Sequence, residues 1–362
     1  MIHEVAIVGA GMAGASLAAA IGRRARVLLL EAEDMPGRHA TGRSAAFWSE
    51  TYGGPAVQPL TTASGPALRE GGYLTPLGSL HVGREEDEAR VERLLTDFDG
   101  SGVDLSRVDP AARIPGLRPE WVHGVWEPSC AYIDVAALHA DYLAAAKASG
   151  TEIRTRGALL AAERRDGVWH LETRAGSFSA KLLVNAAGAW ADAVAKLAGV
   201  APIGITPYRR TMVQLRTDPP VPDGLPHVVD IAGRFYFKPE AGGRLWLTPH
   251  DETPSVPCDI APEEWDVAVA IDRLEKVVDW RVEAVERRWA GLRSFAPDRA
   301  PVYGFDARMP GFFWCAGQGG FGIQTAPAAS ALAAALLLGE GPMPDGVDPE
   351  CYCVRRFLTK SN

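Results

Sequence analysis

The sequence has no surplus of positive charge, no membrane-length hydrophobic run and few cysteines, and each shortage removes a class of function. Against 45 Asp and Glu stand only 37 Lys and Arg, a formal net charge of −8. That balance cannot neutralise a phosphate backbone, so no nucleic-acid partner is expected. The apolar run 328–338 falls short of the roughly 20 residues that span a bilayer and reads as a buried helix. Residues 5–21 are also largely apolar but lack the basic start of a signal peptide. The five cysteines, Cys130, Cys258, Cys315, Cys351 and Cys353, are odd in number and scattered. Cys351 and Cys353 are too close for a usual zinc knuckle and have no nearby histidine. Neither a disulfide framework nor a metal site is expected, and reduced thiols suit a cytoplasmic protein. Repeats and low-complexity tracts are absent.

What is present is globular: 47% hydrophobic and 23% charged residues. At 362 residues the chain is too long for one ordinary core, which predicts two domains. A short apolar strand at 5–8 is followed by glycines, a helix at 15–21 and a second strand at 27–30 that ends at Glu31. That order opens a doubly wound α/β domain. A helix at 135–148, strands at 152–156 and 159–163, a hairpin around Asp166-Gly167 and a buried strand at 181–185 continue it. Residues 83–119 are charged, with a helix at 85–99. Residues 202–293 mix strands, such as 211–215 and 235–238, with an amphipathic helix near 262–278. Proline clusters at 218–220 and 253–257 mark loops. The fold expected is a Rossmann-type nucleotide-binding domain (1–80, 136–202 and 292–362), interleaved with a mixed-sheet α+β substrate domain (81–135 and 203–291).

Gly9-Ala10-Gly11-Met12-Ala13-Gly14 is a G-x-G-x-x-G between a strand and a helix, with Glu31 about 20 residues beyond Gly11. Gly9 permits the tight turn, Gly11 lets a pyrophosphate approach the backbone, and Gly14 lets helix and strand pack closely. The helix N-terminus favours phosphate, and Glu31 would accept hydrogen bonds from ribose hydroxyls. This fingerprint does not separate NAD from FAD; two other segments favour FAD. Residues 39–54 begin with small residues around one arginine, Thr41, Gly42, Arg43, Ser44, Ala45 and Ala46, then turn aromatic at Phe47, Trp48 and Tyr52. The small residues would let the backbone approach a flat ligand, and the rings would wall off the place where it reacts. Residues 316–325, rich in glycine, precede the last apolar helix. Their N–H groups and the helix's positive end would stabilise negative charge on a reduced flavin ring.

GAGMAG, TGRSAA, VNAAGAWAD, FYFKPE, WAGLRSFAPD and GQGGFGIQT occur in one order over most of the chain. In this the sequence resembles the D-amino-acid oxidase superfamily of FAD-dependent amine oxidoreductases, the glycine and sarcosine oxidase group. Within it the motifs are most similar to those of bacterial D-arginine dehydrogenases. The resemblance implies that Tyr52 lids the active site, that Arg210, Tyr236 and Arg293 hold a substrate carboxylate, and that the substrate is a small amino acid. It implies FAD contacts from Gly9, Gly11, Met12, Ala13 and Gly14, from Glu31 and Ala32, and from residues 41–46. Leu159 falls at the adenine; Ala187, Gly188, Trp190 and Arg293 join the set, with Gly319, Gly320, Phe321, Gly322, Ile323 and Gln324 in the last loop.

Departures from the group's pattern refine this. Phe47 stands where the D-arginine enzymes have a histidine. Ser79 falls where they recognise a cationic side chain, so a neutral or apolar side chain is expected. No cysteine stands at Gly291-Leu292-Arg293, where sarcosine oxidases bond the flavin, so FAD is expected to be non-covalent. Trp246 falls where those oxidases use a lysine to activate oxygen. The expected reaction is oxidative deamination of a D-amino acid by hydride transfer from Cα to flavin N5, with electrons passing to a quinone or other carrier, or slowly to oxygen. The alternatives are a glycine- or sarcosine-type oxidase making peroxide, a 2-hydroxy-acid dehydrogenase with His250 as its candidate base, and a non-catalytic flavin-binding subunit.

Overall fold

The computed structural model describes residues 2–357. Strand β1 (Ile2–Val8) leads through the glycine turn into helix α1 (Met12–Ile21) and then strand β2 (Val27–Leu30). β1 pairs in parallel with β2, Val5 opposite Val27, and on its other edge with β3 (Gly176–Asn185), Ala6 opposite Leu183. These strands are apolar on both faces because both faces are covered. The eight-stranded sheet runs Leu159–Arg165, Val168–Thr173, β3, β1, β2, Glu152–Arg154, with Phe312–Ala316 also on β3 and Val302–Phe305 beyond it. Helix α1 and the helix Ala326–Leu338 pack on one face over Ile7, Leu29 and Phe313. The other face buries Leu28, Leu183, Trp169 and Trp314.

The second sheet has ten strands and is built around β4 (Thr206–Asp218), β5 (Tyr236–Glu240) and β6 (Arg281–Phe295). β4 and β6 pair antiparallel from Thr206 opposite Phe295 to Asp218 opposite Arg281. The helix Glu264–Glu275 covers one face, with Leu274 packed among Val213, Leu247 and Trp280. A small sheet joins Phe47–Trp48, Ala131–Ile133 and Leu74–Pro76.

The doubly wound α/β expectation is borne out, and the helix over 135–148 and the strand over 27–30 stand as read. The helix expected at 85–99 is instead a 3₁₀ turn, Glu85–Asp87, followed by Glu88–Asp97, and that at 262–278 is Glu264–Glu275. After β3 leads through residues 186–205 to β4, the chain crosses between the large sheets twice more. β6 ends at Phe295 in the second sheet before Val302–Phe305 joins the first. Phe312–Ala316 in the first sheet passes through Gly317 to Gln318–Gly319 in the second. The loop 317–325 therefore lies on the seam between the sheets.

Candidate active site

A cavity of about 460 Å³ follows that seam, from the glycine turn after β1 to side chains on β4, β5 and β6. At its first end Gly9 has φ +104°, and a methyl there would strike the Ala186 carbonyl oxygen. Only glycine fits both demands. Gly11 precedes α1, and no side chain caps that helix in the usual way; the Met12 N–H donates to Thr41 Oγ1 at 3.0 Å. Glu31 is buried, and its two carboxylate oxygens accept from the N–H groups of Ala10 and Glu33, both at 3.0 Å. It lines the cavity and keeps lone pairs for a diol. Thr41–Arg43 forms one 3₁₀ turn along the cavity wall. The Arg43 guanidinium ties it to the second sheet by donating to the carbonyls of Ile260 (2.9 Å) and Ala290 (3.1 Å).

The far end is set by the β4–β6 ladder. Arg210 opposes Gly291, and Arg293 opposes Tyr208, so the two arginines are diagonal neighbours on one face. Arg210 is buried; its Nε donates to the Asp251 carbonyl at 3.0 Å and its Nη2 to Glu252 Oε1 at 3.1 Å. Arg293 Nη2 donates to the Tyr52 hydroxyl. Nη1 of each arginine is buried without a hydrogen-bond partner. Burial, and then the charge of Arg293, bring the Arg210 guanidinium down to about 10. Two cations with unspent buried donors beside a cavity are chemically matched to an anion. The Tyr236 hydroxyl lies 3.6 Å from Met212 Sδ, and burial above all holds its phenol well above the usual range, so it stays protonated and able to donate. Phe47 packs against both Tyr52 and Tyr236, at 4.9 and 5.5 Å between ring centroids. Gln324 donates to the Tyr52 carbonyl at 3.0 Å, and buried Glu127 accepts from Ser49 (2.9 Å), the Glu50 N–H (2.6 Å) and Thr51 (2.6 Å). These contacts fix the turn that carries Tyr52.

The family model described as FAD dependent oxidoreductase (DAO) matches residues 4–336. The chain belongs to this family. Among curated relatives it is 26% identical over 381 residues to the tRNA 5-methylaminomethyl-2-thiouridine biosynthesis bifunctional protein MnmC of a Polaromonas species, over 93% of this chain and 57% of that protein. It is 27% identical to the glycine oxidase of Geobacillus kaustophilus, over 92% of this chain and 93% of the relative. The chain spans little more than half the length of MnmC and of the hydrogen cyanide synthase subunit HcnC of Pseudomonas aeruginosa, 57% and 51%, and matches only 14% of the mitochondrial dimethylglycine dehydrogenase of Mus musculus. The solved structure of L-proline dehydrogenase from P. horikoshii superposes with a TM-score of 0.86 at 21% identity, covering 99% of this chain and 98% of that one.

FAD is the cofactor of this oxidoreductase family, and the residues present fit it: a turn with no room for side chains, a helix N-terminus beside the cavity whose N-cap residue is a glycine, and an acid at ribose position. Tyr52, Arg210, Tyr236 and Arg293 all line the far part of the cavity. Gly9, Gly11, Met12, Ala13, Glu31, Ala32, Thr41, Arg43, Ser44, Ala45 and Ala46 line it too, as do Leu159, Ala187, Gly188 and Trp190. So do Gly319, Gly320, Gly322, Ile323 and Gln324.

Three residues expected at the cofactor do not line the cavity. A methyl at Gly14 would overlap the Gly9 carbonyl, so this glycine serves helix–strand packing. Gly42 is held under its own turn by donating to the Gly37 carbonyl at 2.8 Å. Phe321 turns into a cluster with Val57 and Phe295. Trp48 is likewise not a wall: successive strand residues face opposite ways, so Phe47 faces the cavity and Trp48 the core beside Leu68 and Ile133.

Ser79 does not face the substrate end; it is fully buried in a strand, with Oγ 3.2 Å from His227 Nδ1. Trp246 also stands outside the cavity lining, with the buried Lys238 ammonium 4.3 Å from its ring. His250, the candidate base, lies outside it as well and bonds to the Gly233 carbonyl at 2.5 Å. Sequence reasoning missed Met212, which alternates with Arg210 on β4, and Cys258, which lines the cavity. It also missed Glu252, which no sequence pattern links to the arginines.

Proposed function

We propose that this FAD-dependent oxidoreductase oxidises the Cα–N bond of a D-amino acid with a neutral or apolar side chain. The imino acid formed would hydrolyse to a 2-oxo acid and ammonia. The observation that carries this reading is the pair Arg210 and Arg293, each with a buried donor to spare, in the cavity that begins at the nucleotide fingerprint. FAD, when bound, supplies the two-electron acceptor. Arg210 and Arg293 bind the carboxylate, and the hydroxyls of Tyr52 and Tyr236 complete its orientation. Phe47, Met212 and Tyr236 form an apolar cluster there, which suits an uncharged side chain and keeps water out. None of these six groups accepts a proton readily, so the amine must arrive neutral. Residues 1–80, 136–202 and 292–362 would form the cofactor domain, and 81–135 with 203–291 the substrate domain.

A glycine-type amine oxidase is the second reading, favoured by the 27% identity to a glycine oxidase along nearly its whole length. A quinone or other carrier, or slowly oxygen, would take the electrons. A cytoplasmic setting agrees with the described residues, in which no helix is long and apolar enough to cross a membrane. The deciding experiment is anaerobic mixing of the holoenzyme with D-amino acids, their L-forms, glycine and sarcosine while following the flavin band. Bleaching by neutral D-amino acids is expected. Bleaching by glycine or sarcosine alone would select the second reading, and bleaching by L-forms alone would reverse the chirality.

A further inference from the structure

Glu252 sits behind the two arginines rather than in the cavity. Its Oε1 is 3.1 Å from Arg210 Nη2, 3.6 Å from Arg293 Nη1 and 2.8 Å from Arg299 Nη2. One carboxylate thus meets three guanidinium groups, from β4, from β6 and from the turn that follows β6. It leaves Nη1 of both Arg210 and Arg293 without a hydrogen bond, so it does not use up the donors that an incoming anion needs. Its side chain is a third exposed, whereas that of Arg210 is 5% exposed. The negative charge therefore touches the buried Arg210 directly while its own side chain stays partly screened by water.

We propose that Glu252 is a built-in competing anion that sets how tightly the enzyme holds a carboxylate. This rests on reading Arg210 and Arg293 as the carboxylate anchor. Glu252 and the three guanidinium groups together carry two positive charges, and the nearby Asp251 carboxylate, which also acts on Arg210, is shared with Arg209, so the site keeps a positive surplus that attracts a monocarboxylate. Without Glu252 the same donors would face the ligand with its charge repulsion removed. Substrate, transition state and 2-oxo acid product all carry the same carboxylate, so this repulsion weakens all three alike. It raises KM without changing the chemical step, and it speeds the departure of a product that would otherwise stay. Glu252 is accordingly a positioning and charge-setting residue that touches neither substrate nor cofactor.

The test uses the holoenzyme and its Glu252→Gln variant, which keeps an acceptor oxygen for Arg210 and removes the charge. Acetate and pyruvate are titrated against the visible flavin spectrum, and steady-state kinetics are run on the best amino acid from the panel. The variant should bind both carboxylates about tenfold more tightly, the size expected for losing one partly screened like charge nearby. KM should fall by a similar factor, with kcat unchanged or lower. A residue that merely braced the arginines would give the opposite sign, so unchanged or weaker binding in a variant that retains FAD overturns the proposal. Should Glu252→Gln not yield folded holoenzyme, Glu252→Asp draws the charge back by one methylene; a smaller tightening supports the proposal and a weakening overturns it. If the wild type bound neither acetate nor pyruvate, the anchor itself would be wrong. Binding by the wild type with no tightening in the variant sinks only the role of Glu252.

Discussion

Gly320→Ala is the sharpest test of the substrate end, because the nearest atoms to the added methyl all belong to the anchor. The backbone at Gly320 is not in the left-handed region, so alanine is conformationally acceptable there. Its Cβ, however, would stand 2.5 Å from the Tyr52 hydroxyl and closer still to Nη2 and Nε of Arg293. Ordinary contact begins at 3.4 Å, so the guanidinium and the phenol must both retreat by roughly an ångström. A displacement of that size breaks the alignment of one charge-assisted hydrogen bond, which is worth about 1.5–3 kcal/mol. KM for the amino acid should therefore rise roughly 10- to 100-fold. The carboxylate is bound equally in ground and transition states, so kcat at saturation should change much less. Steady-state kinetics, with FAD content measured on the same samples, checks this. An unchanged KM in a variant with full FAD occupancy would refute the placement of the carboxylate at Arg293 and Tyr52.

Three further outcomes are expected. Arg293→Lys removes the fork that serves Tyr52 and the carboxylate together, and should lower kcat/KM by about one to two orders of magnitude per FAD-loaded site. Arg210 binds an anion only when protonated, and its folded-state value is lowered to about 10. Acetate affinity should therefore stay flat from neutral pH upward and fall as pH rises through that value; acetate is the right probe because it carries no amine to titrate. Cys258 lines the cavity, which makes the expectation of non-covalent FAD a real one. Acid precipitation should release all the flavin into the supernatant and leave the protein mass equal to that of the bare chain, with Cys258→Ser behaving the same.

The legible parts of the molecule are those fixed by neighbours in sequence. Helix 135–148 was bounded correctly because its ends are local: the Asp134 side chain accepts the Ala137 N–H at the start, and Gly150 adopts φ +96° just past the end. β1, the glycine turn and β2 were legible for the same reason. The misplaced residues are those whose facing depends on which strand pairs with which. Ser79 and Trp246 were placed by the resemblance alone, and the pairings that set which way they face join residues far apart in sequence, Ser79 opposite His227 and Trp246 opposite Gln214.

Arg209 and Arg210 show where the limit lies. They are adjacent, equally charged and nearly equally buried, and period-2 alternation says only that they face opposite ways. Arg209 pairs with Glu263 and Asp266 at the helix Glu264–Glu275, on the face that helix covers, while Arg210 meets the cavity. Which does which is decided by β6. Gly291 lies opposite Arg210, leaving room for the backbone turn at Arg43 to pack over the ladder, and Arg293 is one diagonal step away on that same face. A sequence in which Trp289, Gly291 and Arg293 alternate on one strand, and Arg210 and Met212 on another, already contains both halves of the anchor. What it lacks is the pairing that sets them face to face, and with it any hint that an acid from the loop after Arg244–Thr248 would stand behind them.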